Sequence, residues 1–179
     1  MALKPTIYKL RIALSDLNRN YYDTLSLTLA QHPSETLERM MVRVLAYCIN
    51  AQEHLVFTKG LSDVEEADIW VRTLDGQTSL WIDIGEPAVD RIKKVCRHAS
   101  AVKIYCFNAK ADVWWQQSQS KIRMLKASVY KFDWDTIQRL TALVQRTMDM
   151  SVSITGDSAY VAMEAGECDV GWVVLQNSV

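Results

Sequence analysis

Polar and apolar residues alternate at the start of the chain. Residues 7–15 are rich in β-formers, residues 16–20 are a polar turn, and residues 22–29 place Leu25, Leu27 and Leu29 on one face. This pattern predicts an N-terminal hairpin. His32-Pro33-Ser34 ends the second strand, with Ser34 a candidate helix N-cap. The period then changes. Leu37, Met40, Met41, Val44, Leu45 and Cys48 make an apolar helical stripe that runs to about Ala51.

Strands follow at residues 55–58, 68–74 and 77–84. Asp75-Gly76 between the last two is a two-residue hairpin signal, since both turn positions need positive φ. Gly85-Glu86-Pro87 breaks the strand, and Pro87 suits the first turn of a helix reaching about Ala99. Beyond it the pattern predicts a buried strand at 102–107, a helix at 109–117, a strand at 122–129 and a helix at 134–147. A hairpin of 151–154 with 159–163 and a last strand at 171–175 complete the chain. The order helix, three strands, helix, strand predicts one α/β domain over residues 1–179, with an open mixed sheet flanked by helices.

The Asp75-Gly76 turn carries a geometric expectation. If Leu74 and Gln77 flank it, Arg72 faces Ser79, Trp70 faces Trp81 and Asp68 faces Asp83. Opposed residues share a face, with Cβ atoms roughly 5 Å apart. Two carboxylates so placed repel, and a hard cation such as Mg²⁺ between them removes the repulsion. Ile69, Val71, Leu80, Ile82 and Ile84 then form the core face. The bland reading is a pair of solvated strand ends, and a longer loop would displace the pair.

Two more side chains are candidates for that site. Glu38 lies roughly 75° from the centre of its helix's apolar stripe and Glu35 roughly 135°, so Glu38 is the one expected to point toward the sheet. Glu35 is expected only to complement the helix N-terminus. On the helix after Pro87, Lys93 lies roughly 100° from the apolar centre and Lys94 roughly 155°, so Lys93 can bend back toward the strand end. The bland readings are a solvated boundary Glu38 and a basic helix face in water. Trp114-Trp115 reads as a packed residue with a boundary neighbour, base stacking being the sharper alternative.

Composition narrows the classes. The chain has 179 residues, 49% apolar, and a formal net charge of −1. That charge argues against nonspecific coating of nucleic acid but permits a local basic patch. No apolar stretch is long enough to span a membrane and no apolar signal region follows the N-terminal charge, so a cytoplasmic location without membrane contact is expected. Cys48, Cys96, Cys106 and Cys168 form no C-x-x-C pair, which predicts reduced thiols rather than a zinc site. His32, His54 and His98 lack metal-ligand spacing. Phosphate-loop, dinucleotide and nucleophile-elbow motifs are absent. Nothing in the sequence sets an oligomeric state.

Several stretches carry a resemblance. They are His32-Pro33-Ser34-Glu35-Thr36 with Glu38-Arg39-Met40-Met41, and Phe57-Thr58-Lys59-Gly60-Leu61. Leu80-Trp81-Ile82-Asp83-Ile84-Gly85, Arg91-Ile92-Lys93-Lys94 with Cys96, and Trp114-Trp115-Gln116-Gln117 with Gln119-Ser120-Lys121 complete the set. Over residues 1–148 or more the chain resembles the YaeQ family of bacterial proteins. The resemblance implies a PD-(D/E)xK restriction-endonuclease-like core. In that superfamily a helix Glu and two strand acids bind Mg²⁺, and a Lys two residues beyond the second acid helps activate water. The matching positions are Glu38, Asp68 and Asp83, but Gly85 stands where the lysine belongs. Some superfamily members move that lysine to the following helix, where Lys93 is the candidate with Lys94 behind it. Two functions stay open: a Mg²⁺-dependent nuclease acting on nucleic acid, or a non-catalytic binding or regulatory protein that keeps the fold.

Overall fold

The computed structural model describes residues 3–178. Alternation builds its first layer. In β1 (Thr6–Asp16), Tyr8, Leu10, Ile12 and Leu14 are buried between exposed neighbours. β2 (Tyr21–Gln31) returns antiparallel, with Leu27 opposite Leu10 and Leu25 opposite Ile12.

The central element is α1 (Leu37–Ile49). Its N-cap is Thr36, whose side chain accepts from the Arg39 N–H, two residues later than the Ser34 expected from sequence. Met40, Met41, Val42, Arg43, Val44, Leu45 and Ala46 are consecutive, and all are buried. A helix buried on every side needs cover on every side. The sheet supplies it by curling.

The remaining strands are β3 (Leu55–Phe57), β4 (Ile69–Arg72), β5 (Thr78–Ile84), β6 (Ala99–Cys106), β7 (Ala127–Phe132), β8 (Thr147–Thr155), β9 (Ser158–Met163) and β10 (Gly166–Gln176). The ten form one mixed sheet in the order β2-β1-β8-β9-β10-β7-β6-β5-β4-β3. β1 and β8 are parallel, as are β5, β6 and β7. The sheet is nearly closed rather than the open sheet expected, and it wraps the stretch of α1 from Met40 to Ala46 that is buried all round. Arg43 marks the gap between its edges: its guanidinium donates to the Ala30 carbonyl of β2 and lies 5.5 Å from the Phe57 ring centroid of β3.

On the convex side, α2 (Val89–Val95) and α3 (Ala111–Ile122) bury Ile92, Val95 and Ile122 against Trp81, Val102, Ile104 and Val129. Trp114 and Trp115 are both half-buried against this layer, and the Trp114 indole N–H donates to the Pro87 carbonyl at 3.0 Å. α4 (Trp134–Thr141) packs on α1 and β10.

Three boundaries differ from expectation. α3 continues to Ile122, a buried helix-end residue, so the next strand starts at Ala127 and not at 122. α4 stops at Thr141. β8 then begins at Thr147, and its buried Met148, Met150, Val152 and Ile154 alternate with more exposed positions at the period of a strand. Cys48, Cys106 and Cys168 are buried free thiols and Cys96 is half-buried. Burial pushes Cys48 and Cys106 up to about 12, so neither is a ready nucleophile. No described helix is long and apolar enough to cross a membrane.

Glu35 sits just before α1 and is 5% exposed. It accepts from Arg43 at 2.6 Å and from Arg39 at 2.5 Å. Glu35→Ala strips the buried Arg43 of its carboxylate, a change that costs about 3–5 kcal/mol. Glu38→Ala, at a half-buried position, is expected to shift stability by less than about 1 kcal/mol. Urea unfolding of both variants measures the difference.

Candidate functional site

The β4–β5 hairpin positions the two aspartates. Trp70 pairs with Trp81 and Val71 with Leu80, as the sequence predicts. The turn itself differs. Thr73 N–H donates to the Gln77 carbonyl and Gly76 N–H to the Thr73 carbonyl, so the loop is Leu74-Asp75-Gly76, with Gly76 at φ +83°. One extra loop residue would slip the register. A bulge next to it, where Arg72 pairs with Thr78 after Val71 pairs with Leu80, slips it back. The two irregularities cancel, and the expected register is restored from Val71 onward.

Asp68 and Asp83 consequently line one cleft of about 350 Å³, at 6% and 4% exposure. Neither carboxylate is free. Arg39 Nη2 donates to Asp68 Oδ1 at 2.6 Å, and the Ile84 N–H donates to Asp68 Oδ2 at 2.8 Å. Arg91 Nε donates to Asp83 Oδ2 at 2.8 Å and Arg91 Nη2 to Oδ1 at 3.2 Å. The Trp81 indole N–H donates to the same Oδ1 at 2.9 Å. Burial pushes the Asp83 carboxyl up, and the hydrogen bond and charge of Arg91 pull it back only in part. Arg91 is held above its ordinary value chiefly by its hydrogen bond to Asp83.

The segment between β3 and β4 closes the cleft. Thr58 Oγ1 donates to the Ala67 carbonyl, and Thr58 N–H donates to the Asp68 carbonyl at 3.2 Å. Gly60 takes φ +54°, and a Cβ there would stand 3.2 Å from Asp68 Oδ1. That close approach gives the glycine in Phe57-Thr58-Lys59-Gly60-Leu61 its reason. Arg91 holds the far end of the same segment by donating to the Val64 and Glu66 carbonyls.

Of the sequence-derived candidates, Asp68 and Asp83 come together. Glu38 does not line the cleft. Thr36 caps the helix, so Glu35 lies outside it and the helical wheel does not apply to it; Glu35, not Glu38, is the buried acid in this region. Lys93 is exposed on α2 and lines no part of the cleft; Lys94 pairs with Glu65 at the surface, at 2.9 Å. The cations at the site are Arg39 and Arg91, which the sequence reading missed. Both stand in the stretches that carry the family resemblance, Arg39 beside Glu38 and Arg91 two residues before Lys93. Gly85 and Glu86 line the cleft beyond Asp83, and the Glu86 carboxylate accepts from the Phe107 and Asn108 N–H groups. The lining carries five carboxylates, those of Asp63, Glu66, Asp68, Asp83 and Glu86, against two guanidiniums.

Comparison with known proteins identifies the family and the fold. The family model described as "YaeQ protein" matches residues 1–172. The uncharacterized protein YaeQ of Escherichia coli (strain K12) is 39% identical over 178 residues, covering 98% of each chain. That of Salmonella typhi is 42% identical over 164 residues, covering 90% of this chain and 91% of the relative. The crystal structure of the YaeQ protein from Xanthomonas axonopodis pv. citri superposes with a TM-score of 0.93 at 34% identity, over 97% of this chain and 99% of that one. The YaeQ crystal structure from Pseudomonas syringae gives 0.92 at 32% identity, over 97% of both. With its whole length matched in sequence and in fold, the chain belongs to the YaeQ family.

Proposed function

We propose that the protein is a non-catalytic binding or regulatory protein, whose cleft keeps a nuclease-like placement of acids without metal-dependent hydrolysis. The nuclease-like part of this reading rests on the order of elements: a helix, a hairpin carrying two acids on one face, a second helix, and a parallel strand.

One observation carries the rest. All four oxygens of Asp68 and Asp83 already accept from protein donors, and three of the four bond a guanidinium. Mg²⁺ demands near-octahedral oxygen ligands close to 2 Å away. A dication approaching either carboxylate meets Arg39 or Arg91 at contact distance. No group of three His, Cys, Asp or Glu side chains suited to a metal ion occurs among the described residues. So arranged, the donor set does not fit a divalent cation. Arginine is also a poor substitute for the missing lysine, since it stays protonated and moves no proton at neutral pH.

The opposing reading, a Mg²⁺-dependent nuclease, is favoured by the excess of carboxylates around the cleft. It requires both arginines to withdraw. Calorimetric titration with Mn²⁺ and a cleavage panel of single- and double-stranded DNA and RNA separate the two. Expected are heats equal in the parent and in Asp83→Asn, and no cleavage in Mg²⁺ or Mn²⁺. Mn²⁺ binding that Asp83→Asn abolishes, together with Mg²⁺-dependent cleavage, overturns the proposal.

Asp83 also predicts a pH dependence. Its folded-state pKa is raised by burial, so the folded chain holds that proton to higher pH than the unfolded chain does. Stability from this group is therefore complete below the ordinary Asp value of about 3.9, and it declines as pH rises through the folded value. Asp83→Asn removes that decline. Urea midpoints measured from about pH 3.5 to 6 should show the parent losing stability relative to the variant as pH rises. The reverse slope would mean that Arg91 outweighs burial.

A further inference from the structure

A second cavity, of about 460 Å³, lies against the first. The two share Val64 and Arg91, but their chemistry is opposite. The first is rich in carboxylates. The second has the cations Arg72, Arg91 and Lys94 with His98 beside them, and Glu65 as its one acid. Its apolar wall is Trp70, Trp81 and Val95. This volume falls within the range of small-molecule sites.

The wall is aromatic and built into the hairpin. Trp81 is buried, while Trp70 is half-buried and meets it edge-on, with centroids 5.9 Å apart and planes at 67°. Arg72 holds its guanidinium carbon 5.1 Å from the Trp70 centroid, and Arg91 lies 5.5 Å from that of Trp81. The bulge that restores the Asp68–Asp83 register also acts here. It places Thr78, not Ser79, on this face opposite Arg72, and Thr78 lines the cavity. Bulges recur where a strand must re-aim a side chain. Packing accounts for the buried Trp81, but not for a Trp70 that stays only half-buried beside Arg72, Lys94 and His98, all three of them exposed.

We infer that this cavity binds a planar aromatic anion: a flat ring system against Trp70, with a phosphate or carboxylate at Arg72 and His98 that displaces Glu65 from its solvent-exposed pair with Lys94. Rings stack on indole whatever their detailed edge pattern, and cations at the rim select for negative charge. The inference is independent of whether the neighbouring acidic cleft hydrolyses anything.

The test uses the full chain, with tryptophan fluorescence and calorimetry as readouts. Adenosine 5′-monophosphate is the aromatic phosphate and indole-3-carboxylate the aromatic carboxylate, and the two tell which anion the site takes. Inorganic phosphate and adenosine are the half-ligands. Saturable binding of at least one aromatic anion is expected, weakened by salt and weaker by about tenfold or more for either half-ligand. Lys94→Ala and Arg72→Ala, at exposed positions that do not threaten folding, should each weaken it several-fold. Trp70→Ala should weaken it by about tenfold. Lys93→Ala, which removes an exposed cation of the same helix that lines neither cavity, should leave it unchanged. No saturable binding of either aromatic anion, inorganic phosphate binding as well as the nucleotide, or affinity unchanged in Lys94→Ala and Arg72→Ala would each overturn the inference.

Discussion

Arg43, Glu35, Arg39 and Asp68 form a line of alternating charges through the protein. At one end Arg43 reaches the Ala30 carbonyl of β2; at the other Asp68 accepts from the Ile84 N–H of β5. Both acids are almost completely buried. Such a line gains little over apolar packing, because desolvating four charges offsets most of their attraction. Its value is positional. Were its buried residues all apolar, α1 could turn about its axis inside an apolar sheath at small cost. Arg39 and Arg43 each have one place where their charge is met, and they fix the rotation of α1. The site inherits its geometry from that choice, since Arg39 reaches Asp68 only in this orientation.

Much of this was legible in the sequence, and the reason lies in the range of the signals. The first hairpin, α1 and the β4–β5 pair are short-range patterns, and a period of two or of 3.6 residues is enough to read them. Trp70 opposite Trp81 followed from a turn only a few residues away. Even there the route differed: the loop is one residue longer than expected, and the bulge that compensates leaves no mark on the hydrophobic pattern.

Glu35, Arg39 and Arg91 were not legible as site residues. What makes them so is a partner on another element: Arg43 and Asp68 for the first two, Asp83 for the third. A helical wheel ranks residues by angle within one helix and is blind to charge across the fold. It also fails where the helix has not begun, which is where Glu35 lies. The curl of the sheet was hidden for a related reason. Consecutive burial from Met40 to Ala46 includes Arg43, which any pattern reading assigns to solvent.

The parallel pairing of β1 with β8 has a consequence in time. Leu10 lies beside Met148 and Leu14 beside Val152, so β1 is made long before its second neighbour exists. Until then the hairpin carries an open strand edge. Pairings so distant in sequence make folding slow, and an unpaired edge is a template for other chains. The nascent protein therefore carries this template from the time β1 is made until β8 emerges, and β8 is the strand that closes it.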